Sequence, residues 1–165
     1  MRNLLVAAFV VAAIGSAFAA RPDDHAADRV AIQAVLDAHG IAWTKGDPVA
    51  AAAVMTEDAD WVSGGGDVYE GRAAIEAAHR EWLGGAKGTK HAHPGTPKIR
   101  FIRKDVAIVD GDSYMGGLRD EQGKEMPPSF SRYMAVLVKN GTEWKVTAFR
   151  SLPQLKSKLT PADLH

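Results

Sequence analysis

Ile32, Leu36, His39 and Trp43 fall at offsets of four, seven and eleven residues, so residues 26–45 present one buried stripe and read as a helix. Gly40 interrupts that helix at a cost of about 1 kcal/mol relative to alanine. Gly46 is a stop signal, and Asp47-Pro48 is a restart: a carboxylate N-cap followed by proline where a missing N–H costs nothing. A second helix is predicted over 48–55, its alanine-rich middle implying close packing. Strand character at 60–63 gives way to a glycine-rich turn, Gly64 to Asp67, and a short segment at 68–70. A third helix is predicted over 71–83, with Ile75, His79 and Trp82 on the face toward the sheet. Residues 88–97, with two prolines and two glycines, read as a loop or a broken edge strand.

The last third alternates as strands do, over 98–103, 106–118, 129–139 and 143–151. Asn140-Gly141 between the last two predicts a type I′ hairpin, whose two central residues take positive φ. Helices first and strands afterwards predict an α+β domain, a cone in which three helices pack on a curved antiparallel sheet. A pocket at the open end of the cone follows from that geometry.

Composition narrows the chemistry. The 165 residues include no cysteine, which excludes a disulfide scaffold, thiolate-bound metal and a cysteine nucleophile. Twenty basic against 20 acidic residues argue against a nucleic-acid or anionic-membrane partner. At the amino terminus, Arg2 precedes an apolar run from Leu4 to Ile14, and Ala17-Phe18-Ala19 has the small-x-small pattern of a secretory cleavage site. Residues 1–19 therefore read as a cleavable signal peptide; the run is well short of the roughly 20 residues that span a bilayer. The expectation is one domain over 26–152 with a polar tail over 153–165, exported to the periplasm or secreted, with no membrane association after cleavage.

Three local patterns carry a resemblance: Thr56-Glu57-Asp58-Ala59-Asp60-Trp61-Val62, then Gly71-Arg72-Ala73-Ala74-Ile75 with His79 four residues on, then Val136-Leu137-Val138 followed by Trp144-Lys145-Val146. In order and spacing they resemble SnoaL-like proteins of the SgcJ/EcaC kind, within the nuclear-transport-factor-2-like superfamily. The resemblance implies the cone-shaped fold; its members include isomerases, epoxide hydrolases, cyclases, ligand binders and dimerisation modules, so it does not imply one reaction. Ser63 stands where the steroid-isomerase branch resembling this chain has a carboxylate base. Arg150-Ser151 stands where SgcJ/EcaC-like chains commonly carry His or Gln followed by Asn.

Strand parity selects the remaining candidates. Trp144, Val146 and Ala148 share a face with Arg150; Met134, Val136 and Val138 with Arg132; Val106 and Ile108 with Asp110, Asp112 and Tyr114. If these faces are concave, Asp110 or Asp112 pairs with Arg132 or Arg150 inside the cone. That arrangement either fixes an anionic ligand through a guanidinium or is a structural ion-pair network. Trp61 and Ser63 would line the opposite wall, and His79, Asp110 or Asp112 would serve as acid or base in a cofactor-free enzyme. His39 reads as a core histidine. His91 and His93 have the same-face spacing of two metal ligands, but no third ligand falls at a recognisable spacing, so neither a metal nor another cofactor is expected. Tyr133, Ala135 and Leu137 would then form an outer apolar face for a homodimer. The functional expectation is binding of a small, partly apolar, anionic molecule; the alternatives are a cofactor-free isomerase, hydrolase or cyclase, and a homodimerisation module with a vestigial pocket.

Overall fold

The computed structural model describes residues 25–84, 89–119 and 122–153. The expected leader, 1–19, and the expected tail beyond Pro153 lie outside the described residues. The chain forms three helices, α1 (Ala26–Lys45), α2 (Pro48–Ala53) and α3 (Arg72–Gly84), and seven strands: β1 (Met55–Val62), β2 (Val68–Glu70), β3 (Lys90–Ala92), β4 (Lys98–Arg103), β5 (Val106–Gly116), β6 (Ser129–Asn140) and β7 (Glu143–Pro153). The sheet is curved and open, in the order β2-β1-β7-β6-β5-β3, with β4 sharing the β5 edge. It is α+β as expected, but mixed, because β1 runs parallel to β7 while its other pairings are antiparallel.

The helix signals act as read. The predicted stripe of α1 is buried at Ile32, Leu36, His39 and Trp43, and Gly46 caps the helix in the left-handed region at φ 70°. The Asp47 carboxylate accepts a hydrogen bond from Ala50 N–H at 2.9 Å, and Ala51 and Ala52 are buried. One anchor ties α1 to the strands: the Asp28 carboxylate accepts from Lys139 Nζ at 2.6 Å and from Trp144 Nε1 at 2.9 Å. Those bonds, the lysine's foremost, hold the Asp28 carboxyl below its ordinary pKa.

Two local expectations change and one choice between readings is decided. Strand β1 begins at Met55, not near 60, because a register irregularity between Met55 and Asp60 breaks the alternation. Of the two readings of residues 88–97, loop or broken edge strand, the structure has the second, with β3 paired to β5. The β6–β7 hairpin pairs Asn140 with Glu143, so Gly141-Thr142 forms the turn; Gly141 alone takes positive φ, 61°, the pattern of a II′ rather than a I′ turn.

The sheet face under the helices is the opposite of the one expected. Ala107, Val109, Tyr133, Ala135 and Leu137 pack with Ile32 and Leu36 in the main core. Both faces of β5 and β6 carry apolar residues, so hydrophobicity alone does not choose between them. Volume does: bulky Ile32, Leu36, Tyr133 and Trp144 need small residues facing them, and Ala107, Gly111 and Ala135 supply these. The Tyr133 ring lies across Gly111 so closely that a Cβ there would sit 2.5–2.7 Å from the ring and its hydroxyl. On β7 a register shift between Val146 and Ala148 moves the inward set from Trp144 and Val146 to Phe149. The expected dimer face of Tyr133, Ala135 and Leu137 is thus core, and the opposite face, which no described helix covers, carries half-buried Ile108, Met134 and Val136.

Candidate functional site

Inward parity on β5, β6 and β7 leads, beyond the packed core, to a pocket of about 630 Å³ at the open end of the sheet. Its walls come from both the helices and the sheet. Trp43 reaches it from the last turn of α1, Trp82 from α3, Trp61 from β1 and Phe149 from β7, while Ser113 and Met115 continue the inward row of β5. Trp61 stacks on Phe149 with ring centroids 4.2 Å apart, and Trp43 and Trp82 lie 5.9 Å apart beside them. The indole N–H groups of Trp43 and Trp61 are buried without an acceptor. Five serines, Ser63, Ser113, Ser129, Ser131 and Ser151, add hydroxyls, and no Asp, Glu, Lys or Arg stands among the described residues lining the pocket.

His91 lines this wall from β3, with Nε2 3.0 Å from Ser113 Oγ. It belongs to a histidine cluster. The His39 ring centroid lies 5.6 Å from that of His79, 5.5 Å from that of His91 and 5.8 Å from that of His93; His91 and His93 are 4.8 Å apart. Among the described residues nothing acidic is interleaved among these rings, and burial is the foremost influence on their protonation. It holds His39 and His91 well below the ordinary histidine range, with the neighbouring imidazoles adding to the effect. It lowers His79 to about 4, an effect the Ile75 carbonyl partly offsets, and His93 to about 4, partly offset by the charge of Asp37. At neutral pH the cluster is a set of uncharged imidazoles, able to accept hydrogen bonds or to donate lone pairs.

The structure brings together part of the expected site. Trp61 and Ser63 line the pocket, with the Ser63 hydroxyl bonded to Asp67 Oδ2 at 3.0 Å in the glycine-rich turn. His79 is fully buried behind that wall, with the rings of Trp43, Trp61 and Trp82 set edge-on against it at 5.2, 5.1 and 5.5 Å. Asp110, Asp112, Tyr114 and Arg132 are on the opposite face of the sheet because the parity of β5 and β6 is reversed, and Arg150 joins them because the register shift on β7 exchanges its faces. There Arg132 Nε stands 3.9 Å from Asp112 Oδ1, Arg150 pairs with the Asp60 carboxylate, and Tyr114 packs on Phe130. The anticipated pairing of aspartate with arginine exists, but outside the cone, and the anionic-ligand expectation loses the cations it rested on.

Sequence reasoning passed over His39, Trp43, Trp82, Ser113 and Phe149. His39 and Trp43 were visible on one stripe, and His91 and His93 at ligand spacing. The missing fact was that the α1 stripe meets β3 and so brings His39, the third histidine that spacing could not show, to His91 and His93.

The sequence profile of the SnoaL-like domain family matches residues 24–150. Comparison with curated protein sequences gives no match. Among solved structures, a hexachlorocyclohexane dehydrochlorinase, LinA type 2, superposes with a TM-score of 0.71 at 20% identity, covering 82% of this chain and 90% of that one. A candidate scytalone dehydratase from Novosphingobium aromaticivorans gives 0.69 at 20% identity, covering 81% and 89%. An uncharacterised protein of cystatin-like fold from Caulobacter vibrioides gives 0.66 at 24% identity, covering 81% and 90%. At these identities the likeness establishes the fold.

Proposed function

The chain belongs to the SnoaL-like domain family, and we propose that its pocket binds a small, uncharged, ring-containing molecule bearing hydroxyl or carbonyl oxygens. The observation that carries this reading is the lining: tryptophan and phenylalanine rings, five hydroxyls, one neutral imidazole and no charged side chain among the described residues. A volume of about 630 Å³ falls within the roughly 300–1,000 Å³ usual for small-molecule sites. Aromatic walls offer stacking area, and the serine hydroxyls of the lining offer hydrogen bonds to a ligand oxygen. A carboxylate would enter without a cation to meet it and would lose its hydration uncompensated. The dehydrochlorinase that shares the fold acts, by its name, on an uncharged chlorinated ring, the same broad class.

Thermal-shift measurements with the matched pair 1-naphthol and 1-naphthoate test this. The neutral phenol should stabilise the protein, the carboxylate should not, and Met115→Ala on the inward row of β5 should reduce the shift while Arg150→Ala leaves it intact. Preferential stabilisation by the carboxylate, or loss of the effect in Arg150→Ala, contradicts the reading. We also propose export behind the Arg2–Ala19 leader, supported by its charge, apolar run and small-residue site, and pairing of two copies through the open sheet face that carries Ile108, Met134 and Val136.

A further inference from the structure

We propose that His39, His91 and His93 form a binding site for one divalent first-row transition-metal ion, with zinc as its natural probe. One nitrogen from each ring can be chosen so that all three lie within 4.8 Å of one another. Zinc–nitrogen bonds of about 2.0–2.1 Å put tetrahedral ligands roughly 3.3 Å apart, so loading draws the rings together by about an ångström. The donor set is three imidazoles without thiolate or bound carboxylate, which suits zinc, copper, nickel or iron(II) and not calcium or magnesium.

Four further observations support the site. His39 Nε2 and His91 Nδ1 are buried with no hydrogen-bond partner of their own. Two orphaned polar atoms at one point need an explanation, and a shared ion supplies it. His91 Nε2 is already engaged by Ser113 Oγ at 3.0 Å, which orients the ring and leaves Nδ1 for the ion. The backbone of His91 is also fixed: its N–H donates to Thr44 Oγ1 at 3.2 Å, and that hydroxyl in turn donates to the Gly40 carbonyl at 2.9 Å.

Gly40 provides the fourth. A Cβ at this helix-interior glycine would meet the His91 carbonyl oxygen at 3.4 Å, His91 Nδ1 at 3.8 Å and His93 Cδ2 at 3.8 Å. These are ordinary contact distances, so at Gly40 the α1 backbone lies directly against the β3 histidines and brings His39 to the other two rings. A cleft of about 410 Å³ between α1 and β3 opens on His91 and His93 from the side away from the aromatic pocket, and His91 borders both cavities. The carboxylate of Asp37 borders the same cleft, and its charge acts on His93, partly balancing a dication. The three neutral ligands leave a coordination position open, as in zinc sites that bind water or a substrate oxygen.

The test uses the untagged full chain, stripped with chelator and dialysed. Zinc should bind at one ion per chain in competition with a chromophoric chelator, and cobalt(II) should develop the visible absorption of a tetrahedral nitrogen site. His93→Ala, at the edge of the core, should weaken zinc at least tenfold, whereas His25→Ala, remote from the cluster, should leave it unchanged. His39→Gln provides a second ligand loss, and circular dichroism confirms that each variant is folded. Saturable one-to-one binding lost with His93 supports the site. Absence of saturable binding, equal affinity in His93→Ala and the parent, or equal loss in His25→Ala overturns it.

Discussion

Acidifying the metal-free protein from pH 7 to pH 5 should remove a large share of its stability. His79 titrates at about 4 in the folded chain against 6.5 when unfolded, because burial disfavours the imidazolium. Above 6.5 both states carry the neutral ring and the group has no effect. As the pH falls below 6.5 the unfolded chain takes up a proton that the folded chain refuses, and stability falls until the folded value is reached near 4. At pH 5 the unfolded ring is about 97% protonated and the folded ring about 9%, which amounts to roughly 2 kcal/mol. His93, also lowered to about 4, adds a similar amount, and His39 and His91 act in the same direction. A loss of about 4 kcal/mol or more is a major part of the 5–15 kcal/mol typical of a domain. Urea denaturation followed by tryptophan fluorescence at pH 7, 6 and 5, in chelator, should show the midpoint falling by about 2 M, given slopes near 2 kcal/mol/M. Removing one histidine as His79→Gln should shrink the pH dependence by about one proton's worth. A midpoint that does not move between pH 7 and 5, or that rises, would refute the buried neutral cluster.

Gly111→Ala should destabilise by about 1–3 kcal/mol in the same urea assay, since the new methyl meets the Tyr133 ring. Asp28→Ala should cost about 1–3 kcal/mol, because Lys139 and the indole N–H of Trp144 lose a shared acceptor; an unchanged midpoint would show the anchor to be idle. Sedimentation at micromolar concentration should give twice the chain mass, with Val136→Asp on the open sheet face reverting it to monomer; a monomer mass for the parent ends the pairing proposal.

The fold was legible because its signals are local and redundant. Asp47-Pro48 can start a helix whatever surrounds it, and Ile32, Leu36 and Trp43 define a stripe without knowledge of its partner. The pocket was not legible because it depends on a binary choice that both faces of the sheet satisfy. Met134, Val136 and Ile108 look more like core than Ala135, Ala107 and Gly111, yet the smaller set is buried because large side chains from α1 and from the same sheet fill the space above it. Asp110, Asp112 and Arg132 inherited that parity and changed faces together, while Arg150 was turned outward by the register shift on β7. The shift on β7 hid Phe149 and Ser151 in the same way, since a bulge exchanges the faces partway along a strand. Histidine spacing failed for another reason: His39 lies 52 residues before His91, and only the tertiary approach at Gly40 joins them.

The tryptophans offer the most direct test of the pocket as a site for uncharged rings. Trp43, Trp61 and Trp82 line it, while Trp144 lies elsewhere in the core with its N–H bonded to Asp28. In ¹⁵N-labelled protein titrated with 1-naphthol, the indole resonances of the first three should move together and saturate while that of Trp144 stays in place, and 1-naphthoate at equal concentration should move none. Saturable binding of 1-naphthoate in preference to 1-naphthol, movement of Trp144 alone, or no saturable movement of the three pocket indoles with 1-naphthol would contradict the account.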